Sequence, residues 1–369
     1  MKKCLICFLF IFCLCTGCSK TPPPEPTPQA PVYDQAPTKT ETNVVLDGIT
    51  FDSYIKDDIE YISLTALTKA KSGNINTEFD SADPYSCTFS LDSKLYSLRT
   101  DSENISTEDK DTPMGAKPIY DGMEWYLPYG KFVEGMHKFT VDDLTYFTDY
   151  PTEFTEGKRL PILMYHAVGD DPWGIASLFV RPSELEKQLQ YLKDNGYTTV
   201  TFEDADRLDE IEKPVMLTFD DGYEDNYSLL FPLLQKYNAK ATVFVITGEI
   251  GKTHYLTEKQ IKEMSDSGLV SIQSHTVTHP FLSDLGEEQL QEELLGSKKT
   301  LTRITGKEPF VICYPTGKHS ALSRQVAEEH YKFGLLMNGG TYTTGGDHFL
   351  ITRSYISRST SIYDYPSYL

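Results

Sequence analysis

Two neighbouring carboxylates and two spaced imidazoles are the residues of this chain best suited to chemistry. They are Asp220 and Asp221 in Thr218-Phe219-Asp220-Asp221-Gly222, and His275 and His279 in Ser274-His275-Thr276-Val277-Thr278-His279. Each group follows an apolar run that reads as a buried strand. One carboxylate with two imidazoles can hold a zinc-like ion and leave a position open for water. The second carboxylate is then free to act as a general base. One metal with one spare base is the minimal equipment for metal-assisted hydrolysis. Each half has a plainer explanation when taken alone. Acidic residues beside Gly are common in turns, and two His four apart can be surface residues. Adjacent like charges repel, however, and a cation would relieve them.

The elements that must position these residues begin near Lys158. Apolar runs at 160–165, 198–202, 215–219, 241–246, 270–273, 310–312 and 333–337 read as strands, with helices between them. Leu185, Leu189 and Leu192 lie on one face of the first helix, which Asn195-Gly196 should end. Thr257-Glu258-Lys259-Gln260 reads as a capping box, with Gly268 as the stop at the far end. Strand–helix alternation of this kind predicts an α/β domain built on a parallel sheet or barrel. In that architecture the active site lies at the carboxyl ends of the strands. Those ends carry His166, Asp220-Asp221, Gly248-Glu249, His275 with His279, Tyr314-Pro315-Thr316-Gly317 and Asn338-Gly339-Gly340.

The motifs Leu217-Thr218-Phe219-Asp220-Asp221-Gly222, Ser274-His275-Thr276-Val277-Thr278-His279 and Cys313-Tyr314-Pro315-Thr316-Gly317 resemble the first three of the NodB-type polysaccharide deacetylases, carbohydrate esterase family four. Pro161-Ile162-Leu163-Met164-Tyr165-His166 also fits that family. The resemblance implies a distorted (β/α) barrel with fewer than eight complete units. It implies a divalent ion, usually zinc, held by Asp221, His275 and His279, with Asp220 as the catalytic base. The Tyr-Pro-x-Gly form of the third motif is typical of the branch acting on N-acetylglucosamine polymers. The oxyanion would be held by the metal and a backbone N–H of the 314–316 turn.

The chain departs from the family in three places. Cys313 stands where many members carry an Arg that orients the base, and Arg353 resembles a late Arg able to replace it. An Asp-rich fourth motif ending in Trp is absent. The acid is expected to be a His near the C-terminus in a motif following a strand; His348 stands before the apparent strand instead and is the first candidate, with His166 and His319 behind it. Trp173 is either a stacking platform for a sugar ring or a packing residue. Tyr363, Tyr365 and Tyr368 either do the same or close the barrel.

The rest of the chain sets the context. Of 369 residues, 39% are hydrophobic and 24% charged, which is ordinary for a globular chain, and a net charge of −20 argues against nucleic acid. Residues 1–17 read as a secretory signal: Lys2 and Lys3, a short apolar stretch, then Thr16-Gly17 before Cys18. That ending resembles a bacterial lipoprotein box, so Cys18 is the expected lipidation site, placing the protein outside the cytoplasm on a membrane. Residues 18–40 are a Pro-rich tether. Residues 41–150 read as a small α+β domain, with a hairpin around Cys87 to Leu98 and a repeated strand-then-helix unit beginning at Tyr61 and at Tyr126. It is similar to the stalk-like N-terminal domain of copper amine oxidases. The enzyme domain is 158–369, and a monomer is expected. Three functions remain open: N-deacetylation of peptidoglycan or exopolysaccharide, O-acetyl ester hydrolysis on a glycan, and catalytically silent sugar binding.

Overall fold

The computed structural model describes residues 33–46, 49–70, 75–76, 85–91, 94–107, 110–337 and 339–369. Cys18, the signal sequence, most of the tether and Asn338 lie outside them. The chain divides into two compact units, Met1–Asp149 and Tyr150–Leu369.

The first unit is β-rich. Alternating residues drive the hairpin of Ser86–Leu91 and Lys94–Arg99: Cys87, Phe89 and Leu91 point inward opposite Tyr96 and Leu98. The two echoing segments are hydrogen-bonded neighbours, Ile59–Ser63 running antiparallel to Trp125–Pro128. Only the first leads into a helix, Leu64–Ala70. Pro128 ends the second strand and Gly130 follows it, and the chain turns there instead, so the repeat is incomplete.

The second unit is built on a parallel sheet. Its strands are β1 (Ile162–Tyr165), β2 (Thr198–Val200), β3 (Pro214–Phe219), β4 (Ala241–Val245), β5 (Val270–Ser274), β6 (Val311–Cys313), β7 (Phe333–Leu335) and β8 (Ser354–Tyr355). Their order is β7-β6-β5-β4-β3-β1-β8, with β2 against the first half of β3. The segment carrying β8 bridges both edges, because Ile351 pairs with Leu335 and β8 pairs with β1. The sheet thereby curls into a distorted barrel. Helices α1 (Pro182–Asp194), α2 (Phe231–Tyr237), α3 (Glu258–Asp266), α4 (Glu287–Thr305) and α5 (Ala321–His330) follow the strands.

Period-two alternation sorts the side chains. In β3, Val215, Leu217 and Phe219 face a core shared with Leu185, Leu189 and Leu192 of α1. Met216 joins a second, inner core with Ile162, Phe244, Val311, Cys313, Phe333 and Leu335. Burying each such side chain stabilises the fold by about 1.5–3 kcal/mol. The inward register of β3 continues through Thr218 to Asp220, so the strand that packs the core also delivers the carboxylate. The predicted stops hold: Thr257 and Gln260 form the capping box of α3, and Gly196 and Gly268 take positive φ after α1 and α3. No helix among the described residues is long and apolar enough to cross a membrane.

Candidate active site

Asp220 ends the inward row of β3 and is buried. Burial alone would raise its pKa, but Arg353 outweighs burial and holds the carboxyl below the usual carboxylate range. The pairing is bidentate: Nη1 donates to Oδ1 and Nη2 to Oδ2, each at 2.7 Å. The rest of the guanidinium is equally committed. Nε donates to the Leu336 carbonyl at 2.9 Å, Nη1 to Thr218 Oγ1 at 3.0 Å and Nη2 to Cys313 Sγ at 3.0 Å. Arg353 reaches this position because the closing segment passes between β7 and β1.

Asp221 breaks the strand with φ of 76° and turns away from Asp220. Its Oδ1 lies 3.5 Å from His275 Nε2 and 3.8 Å from His279 Nε2. Donors around a tetrahedral zinc with bonds of about 2.0–2.1 Å stand roughly 3.3 Å apart, so this trio fits such an ion with one position open. The second ring nitrogen of His275, Nδ1, is 2.8 Å from the Cys313 carbonyl. That bond fixes the tautomer and leaves Nε2 as the ligating lone pair. Asp220, His275 and Cys313 also lie close together. Both oxygens of Asp220 are already neutralised by Arg353, so that second group is the poorer cation site.

A profile of the polysaccharide deacetylase family matches residues 207–332. YxkH of Bacillus subtilis, whose name carries the same family, is 38% identical over 209 residues, spanning 55% of this chain and 73% of its own. The chain belongs to the polysaccharide deacetylases. A poly-beta-1,6-N-acetyl-D-glucosamine N-deacetylase of Staphylococcus aureus is 27% identical, over 50% of this chain and 69% of its own. The Streptococcus pyogenes deacetylase PplD, solved in complex with acetate, superposes with a TM-score of 0.54 at 34% identity, covering 57% of this chain and 98% of its own.

In this deacetylase a further imidazole near the base, outside the metal trio, is His166, directly after β1. It is buried, its Nδ1 has no hydrogen-bond partner, and it lies within electrostatic reach of Asp220, Asp221 and His275. Burial drives its pKa below the ordinary value against the pull of the two carboxylates. His348, the first candidate for the acid, is not brought to this cluster. Tyr342–Thr343 pairs with Arg159–Leu160, just ahead of β1. The segment leading to His348 therefore runs past the amino ends of the strands, opposite Asp220. The His348 ring packs on Phe333 at 5.5 Å and Phe154 at 6.1 Å. His319 is half-buried over the Tyr314 ring, with Nδ1 at 3.2 Å from the Gly317 carbonyl.

The third motif also departs from expectation. The Tyr314 side chain points outward into a core with Leu290, Ile312 and Tyr331, and its amide donates to the Leu335 carbonyl at 3.0 Å. Pro315 has no N–H, and the Gly317 and Lys318 amides are bonded within the turn. Thr316, left-handed with φ of 55°, carries the remaining amide. Trp173 stacks on His254 at 4.2 Å and meets Tyr223 edge-on at 5.0 Å. Tyr223 in turn feels the Asp221 carboxylate. The half-exposed indole thus belongs to an aromatic wall beside the trio. Tyr365 is buried against Tyr165, hydroxyl to hydroxyl at 3.3 Å, whereas Tyr363 is exposed.

Two contributors carried no sequence signal of their own. Asn226 Nδ2 donates to the His166 carbonyl, and Asp225 Oδ1 accepts from the Val168 N–H, each at 2.9 Å. They grip the backbone on either side of residue 167. Their place a few residues after Asp-Asp-Gly was the available hint. Glu293 on α4, which bonds the loop between the two histidines, had none.

Proposed function

We propose that the deacetylase removes N-acetyl groups from an N-acetylglucosamine polymer outside the cytoplasm, with a divalent cation, zinc by its donor set, held by Asp221, His275 and His279. The observation that carries this reading is an ionised, bidentately oriented Asp220 beside that trio. Bound there, the ion would supply an acidified water and positive charge for the oxyanion. Asp220 takes the proton as water adds to the acetamide carbonyl, and Arg353 keeps the base ionised and aimed. The Thr316 amide is the backbone donor toward the developing oxyanion. As the C–N bond breaks, the proton that Asp220 took passes through the neutral His166 imidazole to the departing amine. One water is consumed, and acetate and a free amino sugar result. Trp173 with His254 offers a face for a neighbouring sugar ring. The Staphylococcus aureus relative named for poly-N-acetylglucosamine supports β-1,6-linked polymer as the first substrate to try, ahead of peptidoglycan.

The test is acetate release from β-1,6- and β-1,4-linked N-acetylglucosamine oligomers by the zinc-loaded full chain and its Asp220→Asn variant. Release by the parent alone is expected. Release only from O-acetyl esters would replace the reading with an esterase, and none from either would leave a silent binder. The lipid anchor belongs to the same proposal. Fatty-acid labelling that survives Cys18→Ser would remove it.

A further inference from the structure

The loop joining His275 to His279 is backbone-strained. Thr276 has φ of 68° and His279 φ of 59°, and a β-branched residue rarely occupies that region. Such a loop keeps its shape only where its surroundings over-determine it. Part of the support is backbone: the Thr247 amide donates to the Thr276 carbonyl at 3.1 Å and the Gly248 amide to the Val277 carbonyl at 2.8 Å. Part is steric, with Val277 wedged between two glycines. A Cβ on Gly248 would stand 2.6 Å from the Val277 carbonyl oxygen, and one on Gly296 of α4 3.2 Å from Val277 Cγ2.

Local bonds add to this, the Thr276 amide donating to Ser274 Oγ at 3.3 Å and the His279 amide to Thr276 Oγ1 at 3.0 Å, and α4 contributes one carboxylate. Glu293 Oε2 accepts the Val277 and Thr278 amides, both at 2.8 Å, and Oε1 accepts the Thr278 hydroxyl at 2.5 Å. All three donors lie between the two imidazoles in the chain. Another contact between the same two elements, Ser297 Oγ to Ser274 Oγ at 2.8 Å, fixes α4 against the end of β5.

We infer that Glu293 is the positioning residue of the metal centre, holding the 276–279 loop so that both imidazoles converge on Asp221 before an ion arrives. The inference rests on the metal reading above. A free loop would have to be ordered by the ion itself, and that cost would appear as weaker binding. Groups that orient metal ligands from outside the coordination sphere typically change affinity 10–100-fold.

The measurement is zinc affinity of the full chain, by competition with a chromophoric chelator, for the parent, Glu293→Ala, Glu293→Gln and the exposed neighbour Glu292→Ala. Zinc Kd should rise about 10–100-fold in Glu293→Ala and less in Glu293→Gln, which keeps one acceptor oxygen. Glu292→Ala should match the parent. The metal-free melting temperature should stay with the parent's, and acetate release by Glu293→Ala should recover at saturating zinc. A Glu293→Ala chain binding zinc as tightly as the parent, or one whose metal-free form melts well below it with Kd unchanged, overturns the inference and makes Glu293 a structural brace. If Glu293→Ala does not fold, an unchanged Kd in Glu293→Gln overturns it equally. A parent that binds no zinc overturns the metal reading instead, and this inference falls with it.

Discussion

Replacing Arg353 by Met is the most exacting perturbation, because the guanidinium is fully buried and every one of its N–H groups has an acceptor. The variant keeps most of the side-chain volume and removes the charge. Asp220 is then a buried carboxylate without a counter-ion, and the Leu336 carbonyl loses its side-chain donor. Breaking one partner of such a pair costs about 3–5 kcal/mol. Removing both partners together is a different matter, since the desolvation penalty disappears along with the attraction. The double variant Asp220→Leu/Arg353→Met should therefore lie within about 1 kcal/mol of the parent, or above it. The chain has two tryptophans, Trp125 and Trp173. In a Trp125→Phe background, Trp173 fluorescence reports urea unfolding of its own unit, recorded in chelator so that metal binding does not enter. Acetate release by Arg353→Met should fall about 10²–10⁴-fold with the base misaimed. A single variant losing less than 1 kcal/mol, or a double variant as unstable as the two singles summed, would refute the pairing in solution.

Buried titratable groups and close-packed glycines elsewhere in the fold respond to pH and to substitution in the same physical terms. Burial pushes the Asp225 pKa up to about 7. Relative to an unfolded value near 3.9, the folded chain binds the extra proton, so this group's stability contribution is full below about pH 4 and is lost as pH rises towards 7. Asp225→Asn should flatten that decline, gaining roughly 1–3 kcal/mol on the parent at pH 8 in denaturant titrations; a parallel pH profile would contradict it. Gly334→Ala places a methyl 2.8 Å from Tyr314 Cε2 and 3.0 Å from Phe349 Cδ1, and should cost about 1–3 kcal/mol by thermal unfolding. His166→Ala should slow amide cleavage about 10²–10⁴-fold while sparing an activated aryl acetate, whose leaving group needs no proton. His348→Ala should alter neither substrate's kcat, and a loss confined to the amide would return the acid role to His348.

The sequence was legible wherever one local rule decided the outcome. Apolar runs ending in Asp, His or Tyr-Pro located strands and site together, because a period-two register that fills a barrel must also aim its last residue inward. Asp220 and His275 follow from that alone. Legibility failed where the partner is distant. Local pattern around Arg353 does not say that its guanidinium will lie on a carboxylate 133 residues earlier, and only the family resemblance pointed it at the base. Tyr314 sits in a recognisable motif, yet which face of β6 it joins depends on α4 and α5. His348 precedes a strand by a few residues, and the side of the sheet that it reaches is set by a two-residue pairing with Arg159–Leu160. In the first unit the echo between Tyr61 and Tyr126 was real as strand pairing, and failed as helix because Pro128 and Gly130 intervene.

The segment that closes the barrel also sets an order of events during synthesis. Until Arg353 has left the ribosome, Asp220 has no counter-ion, and folding the earlier strands around it would bury a bare carboxylate. The nascent unit is thus disfavoured from compacting on its own base before its last strand exists. Were the chain exported, as proposed above, a domain slow to commit would be an advantage, since an open polypeptide is easier to thread than a finished barrel. We expect chains truncated before residue 353 to remain protease-sensitive, and their digestion rate beside that of the full chain to measure how much of the fold waits for one guanidinium.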